Sequence, residues 1–190
     1  MKSNRLEAFS DGVLAIIITI MVLEMKVPEE VTLEALIPLL PVFISYLISF
    51  IYLGIYWINH HHLLHTVKRV NGKILWANLH LLFWLSLIPF ATSWVGENHT
   101  NTAPLAFYGF LLLMCAIAYL VLGSVIIKQH YEDFLLRKVV GKDIKGKLSI
   151  VFYIIGILVS FLNPWLSISC YVIVAIMWVV PDKRLEKNVD

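Results

Sequence analysis

Six apolar stretches separated by short polar connections occupy nearly the whole chain, which leaves room for little except membrane-spanning helices. The first runs from about residue 5 to 25, and the others cover roughly 35–58, 74–95, 105–127, 148–162 and 165–180. Apolar residues make up 59% of the 190, and the mean hydropathy of +0.81 is far from that of a soluble domain. The sequence therefore predicts an all-α integral membrane protein with six transmembrane helices. It is expected to form a single domain over 1–190, multi-pass in the cell membrane, with the lipid bilayer and not nucleic acid as its surroundings. Lys2 and Arg5 ahead of an apolar run imitate a signal peptide. Glu7 and Asp11 interrupt that pattern, however, and no small-x-small site precedes Glu24, so no cleavage is expected.

The second stretch carries Pro38 and Pro41 near its start, and Pro89 is expected to kink the third. Pro104 suits the first turn of the fourth, while Asn163-Pro164 makes a tight turn between the fifth and sixth and Pro181 stops the last. The last two are short, so thickness mismatch or embedding among neighbours is expected. Segment 128–147 mixes apolar and basic residues, as an interfacial amphipathic helix or an extension of the fourth span would. With six spans both termini lie on one side. That side, with connections 59–73 and 128–147, holds 14 of the 15 Lys and Arg residues, which makes the termini cytoplasmic by the positive-inside rule.

The first span is the unusual one. Asn4 with Glu7 three residues on reads as an asparagine version of the capping box, starting a helix at Arg5. Such a helix to Met25 is about 32 Å long at ~1.5 Å per residue. Arg5, Glu7, Ser10 and Asp11 place polar and ionisable groups ahead of and inside it, and such groups at membrane depth take partners from other helices. Arg5 and Asp11 are six residues apart, roughly 120° around the helix, so they cannot pair with each other. Further along, Gly12, Ile16, Thr19, Ile20 and Leu23 recur at spacings of three and four. On spacing alone this stripe is a packing seam, and a narrow apolar pore wall would show the same pattern.

No enzyme pattern is present: there is no phosphate loop and no Ser-His-Asp or Cys-His spacing. Cys115 and Cys170 lie in apolar runs and read as free thiols. His60, His61, His62 and His65 invite a metal-site reading. Only His130, Glu132 and Asp133 stand ready to join them, so they read as solvated or hydrogen-bonding histidines, with no metal and no cofactor. Asn98-His99-Thr100 is a sequon of a kind common by chance, and a Thr-Val-Gly-Tyr-Gly potassium filter is absent.

The string Arg5-x-x-x-Phe9-Ser10-Asp11 resembles the signature of the transmembrane protein 175 family of potassium channels. Trp57-x-x-His60-His61, Trp76-x-Asn78 and Pro89-Phe90 are similar to its bacterial single-repeat branch in order and spacing. The resemblance implies a modestly selective potassium channel, passive and assembled as a homotetramer, with the first helix lining a central pore. It implies that Ile16, Ile20 and Leu23 form rings of apolar side chains at a constriction, with Thr19 contributing hydroxyls. Arg5, Ser10 and Asp11 are then expected to tie the first span structurally to Trp57, His60, Trp76 and Asn78. Glu24, just past Leu23, is either an acidic ring at the outer mouth or a carboxylate at the lipid interface. A proton-coupled transporter or proton pathway using Asp11, His60 and His80 is the competing reading, although the repeats and broken helices common in transporters are not evident.

Overall fold

The computed structural model describes residues 3–67, 69–129 and 144–179. These form seven α-helices: α1 (Ser3–Leu23), α2 (Leu40–His65), α3 (Gly72–Ser86), α4 (Ile88–Glu97), α5 (Thr102–Gln129), α6 (Ile144–Val159) and α7 (Pro164–Val179). No strand occurs among the described residues. Because α3 and α4 run on as one span, Gly72–Glu97, the seven helices make six membrane-spanning units. Four units are long and apolar enough to cross a bilayer by themselves. α6 and α7, at 16 residues each, reach about 24 Å, short of a ~30 Å hydrocarbon core.

Several boundaries differ from the sequence expectation, each for a local reason. α1 begins at Ser3, so Asn4 lies inside the helix and does not cap it. The Ser3 hydroxyl lies 2.8 Å from Glu7 Oε1 and 2.9 Å from the Leu64 carbonyl, fixing the start of α1 to the end of α2. The second span begins as a 3-10 turn, Glu34–Leu39, because Pro38 and Pro41 have no N–H for a regular α ladder. α2 then continues to His65, seven residues past the expected Ile58, so the histidine cluster is helical. Pro89 does more than kink the third span. Leu87 N–H bonds the Trp84 carbonyl at 3.3 Å, a one-residue tightening, and the ladder resumes with Ala91 N–H on the Leu87 carbonyl. Pro89 thereby falls in the first turn of α4, where its missing N–H costs nothing. At the other turn, Asn163 Oδ1 accepts from Trp165 N–H at 2.9 Å and starts α7. Of segment 128–147, expected to be an interfacial amphipathic helix or an extension of the fourth span, residues 128–129 close α5 and 144–147 open α6, while 130–143, with His130, and the stop at Pro181 lie outside the described residues.

α1 packs against α2, α3 and α4, while α5 packs against α3, α4, α6 and α7. Buried side chains from α1 to α5, joined by Tyr153, Tyr171, Val174 and Ala175, form one apolar core. Tyr171 is the wedge between α5, α6 and α7. A Cβ at Gly109 would come within 2.0 Å of its hydroxyl, and one at Gly156 within 2.4 Å of its ring. Both glycines are therefore there for close approach.

Candidate functional site

α1 has two unlike faces. Leu6, Ser10, Leu14, Ile17 and Met21, spaced four, four, three and four apart, are buried against the neighbouring helices. Phe9, Ile16, Thr19, Ile20 and Leu23 lie on the uncovered side, with Ile16 60% and Leu23 79% exposed. The Thr19 hydroxyl bonds back to the carbonyls of Ala15 and Ile16, both at 3.0 Å. Its proton is thus satisfied within the helix, and its oxygen keeps a lone pair on the uncovered face.

The buried face is anchored by polar groups. Asn78 of α3 bridges two helices: its Nδ2 donates to Ser10 Oγ at 3.0 Å, and its Oδ1 lies 2.6 Å from His60 Nε2 on α2. Ser10 donates in turn to the Leu6 carbonyl at 2.9 Å. Ser10, His60 and Asn78 are essentially solvent-free, so each polar atom of this relay has to find its partner inside the bundle. One turn away, Trp57 Nε1 donates to Asp11 Oδ1 at 3.0 Å. Among the seven residues expected to tie the helices together, the structure joins Ser10, His60 and Asn78 in one chain and Asp11 and Trp57 in a pair. It leaves Arg5 exposed and Trp76 76% exposed on the single chain, with no hydrogen bond to either group among the described residues.

At the other end of α1, Glu24 is exposed just beyond the helix. Lys26 pairs with Glu97 at the end of α4 at 2.7 Å. Its pKa is raised, chiefly by that hydrogen bond, then by the charge of Glu97 and, more weakly, of Glu24. Of the histidines, His61 stacks near His65 with ring centroids 6.0 Å apart, and His80 accepts from Trp84 Nε1 at 2.9 Å.

A second buried polar chain was missed from the sequence. Thr92 of α4 donates to Ser49 Oγ of α2 at 2.7 Å, and Ser49 bonds Tyr108 of α5 at 2.8 Å. Thr92 also reaches Met21 Sδ on α1 at 4.0 Å. The available signal was that each is a polar residue within an otherwise apolar span, which needs a partner at membrane depth.

Fold and site together define a multi-pass helical membrane protein whose first helix is held on one side by buried polar bonds and bare on the other. The sequence model for "Endosomal/lysosomal potassium channel TMEM175" matches residues 5–89. A potassium channel of Chryseobacterium sp. (strain P1-3) is 57% identical over 188 residues, 99% of this chain and 98% of the relative. A potassium channel of Chamaesiphon minutus is 30% identical over 90% of this chain and 91% of its own. The crystal structure of a lysosomal potassium-selective channel TMEM175 homolog from Chamaesiphon minutus superposes with a TM-score of 0.82 at 28% identity, covering 95% and 97% of the two chains. The chain belongs to the TMEM175 family, a family of channels and not of enzymes.

Proposed function

We propose that the protein is a passive, modestly selective potassium channel of the cell membrane, built from four copies around the uncovered face of α1. The observation that carries this reading is that bare face, apolar and regularly spaced on a helix whose other side is firmly anchored. Closed fourfold symmetry turns each residue of one stripe into a ring. Ile16, Ile20 and Leu23 then form stacked apolar constrictions about 5 Å apart, with Thr19 oxygens between them. A dry neck penalises hydrated ions, and potassium sheds its water more cheaply than sodium, so selectivity is modest. Glu24 sits where four copies would place an acidic ring at the outer mouth. The distribution of Lys and Arg supports cytoplasmic termini.

The names and alignment of the relatives support potassium conduction, and the relay through Ser10, Asn78 and His60 with the Asp11–Trp57 pair supports a structural role for those residues. Bilayer recordings of Ile16→Asn test the pore. A wetted constriction should bring the potassium-to-sodium permeability ratio toward one, and unchanged ratios in Ile16, Ile20 and Leu23 variants would remove these residues from the conduction path. Native mass spectrometry in mild detergent should show four chains.

A further inference from the structure

A trough of about 780 Å³ runs between the start of α3 and the last turns of α5, lined by Lys73, Trp76, Ala77, His80, Val121 and Val125. Its polarity is graded along the helices. At the end where α3 begins, Lys73 and Lys128 are exposed. Gln129 Nε2 donates to the Arg69 carbonyl at 2.9 Å, which fixes the backbone of the exposed Arg69 beside the end of α5. Neither α3 nor α5 carries a carboxylate, so the walls offer these cations no opposite charge. Trp76 follows one turn further in and is 76% exposed. His80 lies seven residues from Lys73, about 10 Å deeper at ~1.5 Å per residue. It accepts from Trp84 Nε1 through Nε2, so the ring proton sits on Nδ1, a donor with no partner among the described residues. Across from these side chains, Val121 and Val125 make an aliphatic wall.

This order of groups matches one kind of molecule. A phospholipid carries a phosphate, then a glycerol with ester carbonyls, then acyl chains, in the same sequence along the membrane normal. Basic pockets between helices on the cytoplasmic side recruit anionic head groups, and tryptophan favours the interfacial level. The Lys and Arg distribution assigns this end of α3 to the cytoplasm. A soluble anion would use the cations alone and leave the aliphatic wall bare. We propose that the trough holds one anionic glycerophospholipid, with its phosphate among Lys73, Arg69 and Lys128 and its glycerol beside Trp76. An ester carbonyl then accepts from His80 Nδ1–H, and an acyl chain lies along Val121 and Val125. The site does not depend on the uncovered face of α1 lining a pore. It nevertheless loads the helix that carries Asn78, whose Nδ2 donates to Ser10 of α1.

The probes are dioleoylphosphatidylglycerol and dioleoylphosphatidylcholine, titrated into the delipidated full chain in mild detergent and counted by native mass spectrometry. The anionic lipid should bind more tightly, by about fivefold for each cation it meets. Lys73→Gln should weaken it by about that factor and leave the zwitterionic lipid unchanged, while Lys26→Gln at the opposite end of the bundle should alter neither. His80→Phe should weaken both lipids alike, because both carry the ester. Val121→Trp, which fills the trough, should remove the preference for the anionic lipid. In crystals grown with phosphatidylglycerol brominated on its acyl chains, bromine should appear beside Val121 and Val125. Equal wild-type affinity for the two lipids, a result that needs no variant to fold, would overturn the proposal. So would a preference that survives both Lys73→Gln and Val121→Trp, or a trough filled by a neighbouring subunit or by residues 130–143.

Discussion

Replacing Asn78 by leucine tests whether the buried relay holds α1 in place, because the side-chain volume is nearly kept while both polar functions are lost. Ser10 is not stranded by the change, since its hydroxyl still donates to the Leu6 carbonyl. His60 is stranded: its Nε2 loses the partner at 2.6 Å, and the ring is 1% exposed. An orphaned buried polar atom costs about 1–3 kcal/mol. Interhelical hydrogen bonds in membranes average nearer 0.6 kcal/mol, because the unfolded chain finds other partners there. The first figure governs here, since Asn78 is the hydrogen-bond partner that His60 has among the described residues, and we expect a loss of about 2 kcal/mol. For a chain of this size that lowers the thermal midpoint by about 4–8 °C, read by fluorescence-detected size exclusion after heating. His60→Leu combined with Asn78→Leu removes the orphan and should recover most of the loss. Single variants within about 1 °C of wild type, or a double variant as unstable as the two losses added, would refute the reasoning.

Gly109→Ala should be strongly destabilising, by about 1–3 kcal/mol or more, because the new methyl would sit 2.0 Å from the Tyr171 hydroxyl and 2.9 Å from Ile157; a thermal midpoint equal to wild type would show that Tyr171 moves freely. Lys26→Gln should leave the thermal midpoint unchanged at any salt concentration, since the pair with Glu97 is solvent-exposed on both sides. A salt-dependent drop would instead make that pair part of the fold's stability.

The architecture was legible because four spans announce themselves by length and hydropathy and the last two by hydropathy alone, and because Ser10, His60 and Asn78 are polar residues that cannot face lipid. The end of α2 was not. Hydropathy stops at Ile58, but nothing from Asn59 to His65 breaks a helix, so the backbone ladder simply continues. The separation of α3 from α4 depends on how the chain accommodates Pro89, which a kink or a break satisfies equally well in sequence. Arg5 and Trp76 shared the family signature with the relay residues, yet within one chain both are exposed. The wedge of Tyr171 against Gly109 and Gly156 joins positions far apart in sequence, and no local pattern signals it.

The central claim, passive potassium conduction, is tested most directly by the diffusion potential of liposomes holding the purified protein, with potassium inside, sodium outside and no proton gradient. The account predicts an inside-negative potential that appears at once, stays below the ~59 mV per tenfold gradient of a perfectly selective monovalent pathway, and collapses when the two solutions are made identical. A potential that appears only when a proton gradient is imposed would contradict it, and would make the protein a coupled transporter or proton pathway.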